Sequence, residues 1–142
     1  PGLRIGSPVQ SVAAGSVSRI DNDFVEMTPQ EYETAMYESR LQHRTSERWM
    51  DSLVGRQVHV AHNERVYSRY RHLYSVSPGL AAGDEIQKGG VVGTVGVSGT
   101  SAGAYGTNGG AHLHFEIWVN GRYLGQGLSL YETMRLWQEL FR

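Results

Sequence analysis

Two hydrophobic periods divide the chain. From Ile20 to Val54 glycine is absent and the apolar positions are spaced as on a helix. Thr28-Pro29-Gln30-Glu31 forms a capping box, with Pro29 in the first helical position, and predicts a helix start. Tyr32, Met36 and Leu41 then follow among polar residues as a one-sided stripe. Thr45 or Ser46 can cap a second short helix carrying Trp49 and Leu53, ended by Gly55. Beyond it the period falls to two. Val58, Val60 and His62 alternate with Gln57, His59 and Ala61, and Val66, Ser68 and Tyr70 alternate with Tyr67, Arg69 and Arg71. Asn63-Glu64 between these runs suggests a tight hairpin.

From Pro78 to Gly110 short valine-rich runs are broken by glycine every few residues, and His112 to Val119 reads as a further strand closed by an Asn120-Gly121 turn. Ser129 and Glu132 make a second capping box. Behind it Leu130, Met134, Trp137 and Phe141 share one helical face, expected to pack on the sheet. The pattern therefore predicts a mainly β fold of two packed antiparallel sheets, a small barrel or sandwich. A helical insertion is expected at about 21–55 and a C-terminal helix at about 129–141, within one domain spanning 1–142.

Composition narrows the function more than the fold. With 13 basic and 14 acidic residues the chain has no basic excess to favour nucleic acid, so none is expected as a partner. It has no cysteine, which excludes disulfides, thiolate metal sites and a cysteine nucleophile but not an extracytoplasmic address. No run is long and apolar enough to span a membrane, and no stretch of these residues is expected to act as a signal peptide. Because the first residue is Pro1, a piece of a longer polypeptide is expected.

The chemistry is carried by histidine. In His112-Leu113-His114-Phe115-Glu116 the two imidazoles lie two apart on a strand and so share a face. Such a pair suits a divalent metal or a polar substrate site. Tyr70-Arg71-His72-Leu73 ends the hairpin upstream. Arg69 and Arg71 flank Tyr70 and can line a groove. Asp21-Asn22-Asp23 lacks the rest of a calcium loop and reads as a turn. His43 falls in the helical segment and reads as solvated.

The order of these features closely resembles the lysostaphin/LytM zinc endopeptidases. The resemblance rests on Val58 to His62, Tyr70-x-His72-Leu73, the glycine frame from Gly79 to Gly99, and His112-x-His114-Phe115-Glu116. Gly6-Ser7-Pro8-Val9 followed by Ala14-Gly15-Ser16-Val17 resembles the family's opening strand pair. The segment from Asp21 to Gly55 and the tail after Trp118 lie outside the match. The resemblance implies a LytM-type fold (a duplicated hybrid motif) and a metallopeptidase, a hydrolase cutting peptide cross-links of bacterial peptidoglycan in the cell wall. It also implies an extracytoplasmic setting: periplasm, cell wall or secreted to the extracellular side.

In that family zinc is held by a histidine and an aspartate of a His-x-x-x-Asp motif and by the second histidine of His-x-His, here His114. The resemblance makes His72 and His112 the catalytic pair, serving as general base and as donors to the oxyanion. Tyr70 and Arg71 are candidate substrate-binding residues. Aligned on Gly6 to Val9, the family aspartate falls immediately before Pro1. A second alignment, with a short deletion, puts Gly2-Leu3-Arg4-Ile5 on the motif and Arg4 at the aspartate, where a guanidinium offers no lone pair. Either way this sequence carries one family ligand of three, so zinc binding and activity of the chain as it stands are expected to be weak or lost. His59 and His62 face opposite ways and cannot both substitute from a regular strand. Two readings stay open: an endopeptidase domain with an incomplete metal site, or a degenerate domain that binds or activates other cell-wall proteins.

Overall fold

The computed structural model describes residues 3–141. Pro1 and Gly2, on which part of the ligand-motif alignment falls, lie outside the described residues. Among the described residues nine strands form two open antiparallel sheets. The larger is built from β2 (Gly15–Asp21), β3 (Gln57–Ala61), β4 (Val66–Arg71), β6 (Glu85–Ile86), β8 (His114–Val119) and β9 (Arg122–Tyr123), in the order β6-β2-β3-β4-β8-β9. The smaller comprises β1 (Pro8–Gln10), β5 (Leu73–Val76) and β7 (Val91–Val95), ordered β1-β7-β5. The two-sheet antiparallel architecture expected from the glycine-punctuated pattern is present, and neither sheet closes into a barrel.

The core lies between the sheets. Val17, Val58, Val60 and Tyr70 from the large sheet meet Val9, Leu73, Val92 and Val95 from the small one, all nearly inaccessible. A β-bulge keeps β2 in step with this core. Val17 pairs with Val60 and Arg19 with His59, so Ser18 is the extra residue. Without it, Val17 and Arg19 would share a face; with it, the valine stays inside and the arginine turns outward. Asn63 organises the first hairpin, its side-chain oxygen accepting from the backbone N–H of Arg65 and Val66. Asn120 and Gly121 take φ of 50° and 76° and join β8 to β9 in the left-handed two-residue turn the dipeptide predicts.

The helices α1 (Pro29–Gln42) and α2 (Glu47–Val54) stand between β2 and β3. The Thr28 capping box is complete, and Ser46 is the second N-cap, though its side chain caps nothing. The expected stripe on α1 is not what buries it: Ala35 is the buried position and Leu41 is exposed. A small satellite core forms from Met27, Ala35 and Trp49, with Tyr32 and Leu53 against it. A four-residue turn of helix, α3 (Ser101–Ala104), precedes β8, and α4 (Leu130–Leu140) follows β9. The Ser129 capping box starts α4 as predicted. Its apolar face is only partly used: Trp137 and Phe141 pack edge-on against Phe115, while Leu130 is 78% and Met134 54% exposed. The helix packs on the sheet as expected, by its last two turns.

Candidate active site

Strand register decides which side chains can meet. Arg19 stands opposite His59, His59 opposite Arg69, and Arg69 opposite Glu116, a row crossing four strands. One row along, Arg71 is opposite His114. Alternation places all of these on the sheet face away from Val58, Tyr70 and Phe115. One face is therefore core and the other a polar surface.

His72 does not belong to that alternation. It sits where the chain leaves β4 for β5, crossing from one sheet to the other, with φ of 59°. A left-handed conformation costs a non-glycine residue about 1–2 kcal/mol, so it must be imposed by its surroundings. The His72 N–H donates to the Val54 carbonyl (3.1 Å), and the Leu73 N–H to the Arg56 carbonyl (3.0 Å). The Ser98 hydroxyl accepts from the Arg56 N–H and donates to the Leu73 carbonyl, both at 2.9 Å. Gly55 makes room for this junction: at φ 68° a Cβ would fall on the Ser98 carbonyl. The kink turns the imidazole toward the His-x-His strand. Its ring centroid lies 4.9 Å from that of His112 and 5.6 Å from that of His114.

Each of the three rings has one nitrogen engaged. His72 Nδ1 donates to the Ser98 carbonyl (2.8 Å), and His112 Nδ1 to the Gly110 carbonyl (2.8 Å). His114 Nε2 donates to Glu116 Oε1 (2.9 Å). A carbonyl or carboxylate can only accept, so the hydrogen of each neutral ring sits on the engaged nitrogen and the other keeps its lone pair. His72 is buried, which lowers its pKa to about 4 against the opposing hydrogen bond to Ser98; His112 and His114 add to the lowering. It stands as a neutral imidazole with Nε2 available as a base.

Glu116 is the hub of the polar face. Burial works against its charge, yet hydrogen bonds from His114 and Trp118 and the charge of Arg71 bring its carboxyl down to about 2. Arg71 Nη1 reaches Oε1 at 2.5 Å, and Trp118 Nε1 donates to Oε2 at 2.6 Å. Arg69 adds an ion pair at 3.5 Å while lying over the Trp118 ring. Arg71 also donates from Nε to Gln57 Oε1 (3.3 Å), which accepts from His59 Nε2 at 2.7 Å. Gln57 Nε2 completes the chain by donating to Asp21 (2.7 Å).

The structure brings His72, His112 and His114 together and leaves others apart. Tyr70 is 1% exposed, with its hydroxyl accepting from the Val12 N–H and from Ser68, so it faces the core and not the imidazoles. Tyr70, a substrate-binding candidate from the sequence, is thus part of the core between the sheets. Arg71 does lie on the polar face, but its guanidinium is largely covered by Glu116 and Gln57. His59 is buried beside Gln57, and His62 bridges the Ala14 carbonyl and Ser68, so neither joins the three rings. Arg4 is exposed in the turn before β1. Sequence reasoning gave no role to Glu116, although its place two residues after His114 on one strand face could have assigned it. Gln57 and Ser98 carried no such signal.

A catalytic zinc needs three protein donors around an open position. Among the described residues no three histidine, aspartate or glutamate side chains are grouped to hold a metal ion. His114, its ring backed by a carboxylate as metal-bound histidines commonly are, fits one corner of such a site, and the described residues do not supply the rest of the set.

Two open antiparallel sheets thus set three imidazoles together at the crossover between them. By comparison, residues 34–125 match the sequence profile of peptidase family M23, and the chain belongs to that family. Solved structures share the fold. A zinc-containing peptidase from Vibrio cholerae superposes with TM-score 0.55 and 22% identity, covering 84% of this chain and 26% of that one. The catalytic domain of the prophage-encoded M23 protein EnpA from Enterococcus faecalis gives 0.55 and 19%, with 87% and 69% covered. The catalytic domain of the antimicrobial peptidase lysostaphin from Staphylococcus simulans gives 0.53 and 20%, with 84% and 63% covered. The chain thus spans between about a quarter and two thirds of these relatives. No curated protein sequence matches it significantly.

Proposed function

We propose that the chain is the peptidase-like part of a zinc metalloendopeptidase acting on the peptide cross-links of bacterial peptidoglycan, outside the cytoplasm. The observation that carries this reading is the convergence of His72, His112 and His114, with His72 turned toward the other two by a left-handed backbone conformation. In it His72 Nε2 accepts a proton from the attacking water, and His112, when protonated, donates to the oxygen of the scissile carbonyl. His114 stands on the metal side, positioned by Glu116. The described residues do not form the metal site alone, and no step is assigned to the metal. Membership of peptidase family M23 supports the peptidase part of this reading, and the fold is shared with the catalytic domain of the antimicrobial peptidase lysostaphin.

The test is cleavage of synthetic peptidoglycan peptides cross-linked through glycine or D-alanine, by the full-length native polypeptide. New amino termini are counted by mass spectrometry. His72→Ala and His112→Ala should each lower the rate by about 100-fold or more. Cleavage that survives both substitutions would dismiss the assignment.

The absence of a three-donor group among the described residues favours a second reading, in which the domain has lost hydrolysis and binds or activates other cell-wall proteins. Tight binding of the same peptides by a long chain that never cleaves them would favour it.

A further inference from the structure

We propose that Glu26, in the segment leading to α1 and outside every motif above, is a positioning residue for His72, acting through the Val97–Gly99 turn. The carboxylate Oε2 accepts from the Gly99 N–H at 3.0 Å. Gly99 follows Ser98, whose carbonyl takes the Nδ1 hydrogen of His72 at 2.8 Å and so decides which ring nitrogen is left free. The Ser98 hydroxyl pins the middle of the turn to the Arg56 N–H and the Leu73 carbonyl, both at 2.9 Å, and Glu26 holds its far end. The Thr100 N–H donates to the Val97 carbonyl (3.1 Å), which fixes the turn's shape but not its placement. Besides the Ser98 hydroxyl, placement comes from below, where Gly99 rests on Gly55, and from the side, where Glu26 reaches in. The space for that carboxylate is made by Gly103: a Cβ there would fall 2.7 Å from Glu26 Oε2. Burial raises the pKa of Glu26 while the Gly99 hydrogen bond opposes it, as expected of a carboxylate drawn in for a partner.

The helical segment between β2 and β3 is on this account part of the site and not an ornament on it. Its entry carries Glu26 to the turn and its exit carries the Val54 carbonyl to the His72 N–H. A second link, Tyr105 to Glu33 at 3.0 Å, ties α1 to the residues just after α3.

The proposal rests on the reading of His72 as a base, but its test does not need turnover. Nitrogen-15 shifts of the histidine rings report the tautomer directly, recorded on the whole chain where the rings are neutral. In the native chain the two nitrogens of His72 should show one dominant form, hydrogen on Nδ1. Glu26→Met keeps the length and removes the acceptor, and should draw the two shifts toward each other as the forms mix. Glu26→Gln keeps an acceptor oxygen and should restore the native pattern. His59, bonded to Gln57 and outside this chain of contacts, serves as the folding control. Should Glu26→Met fail to fold, Glu26→Ala takes its place. A His72 tautomer indifferent to loss of the acceptor, or a Glu26→Gln chain as disturbed as Glu26→Met with His59 unchanged, would overturn the proposal. Failed peptide cleavage with the expected shifts would count against the enzymatic reading only.

Discussion

Buried histidines on the polar face give the molecule a defined response to acid. Burial is the main reason His59 titrates at about 4 in the folded chain, and the neighbouring Arg69, Arg71 and Arg19 add to it. In the unfolded chain the ring returns to about 6.5. Between those values the unfolded state binds the extra proton, so acidification favours unfolding. The stability His59 contributes by staying neutral is present above pH 6.5 and is lost as the pH falls toward 4. If the whole gap is realised it amounts to roughly 3 kcal/mol, and His72 adds in the same direction. Urea melts of the native chain from pH 7 to pH 4 should show falling midpoints, and His59→Gln should flatten the fall. A native chain with a constant midpoint would contradict the burial argument. Glu116 gives a second expectation. Glu116→Ala leaves Arg71, itself mostly covered, without its nearest anion, and should cost about 3 kcal/mol in equilibrium denaturation.

At the scale of elements, what the sequence made legible followed from local rules, and what it hid depended on long-range packing. The Thr28 and Ser129 capping boxes and the Asn120-Gly121 turn are decided by residues within four positions of each other, and each stands where predicted. The shared facing of His112 and His114 follows from strand alternation alone. His72 could be placed only by resemblance, because its left-handed kink breaks the alternation and is imposed by Val54 and Ser98, both distant in sequence. The stripe on α4 is the reverse case. A helix face that is apolar over its whole length predicts burial, yet the sheet reaches only Trp137 and Phe141. Leu130→Gln should therefore change stability by no more than about 0.5 kcal/mol, as at an ordinary surface position. Trp137→Ala should cost about 2 kcal/mol, below the full-burial value because the ring is half-covered. Comparable losses from the two would mean that α4 packs along its whole face.

For the whole molecule, the arrangement of sheets and imidazoles sets up a metal question that a ligand count answers in advance. The fold gathers three histidine rings at the crossover, but two of them, His72 and His112, have their free nitrogens disposed for a substrate in the proposed reading, leaving His114 as the metal-side residue. One imidazole backed by a carboxylate binds zinc weakly, since a catalytic site takes three protein donors and each absent donor removes a large share of the affinity. The chain from Pro1 to Arg142 should therefore show weak zinc binding in calorimetric titration at neutral pH. A polypeptide extended upstream into its native sequence should bind tightly at one zinc per chain if the remaining donors precede Pro1. His114→Ala should abolish that gain, whereas His72→Ala should leave most of it while still removing cleavage. Tight one-to-one binding by residues 1–142 would show that His72 or His112 ligates the metal and that the division of roles drawn here is wrong. An extended chain that gains nothing would move the protein to the binding or activating reading, with the same three imidazoles retained on a site that no longer turns over peptide.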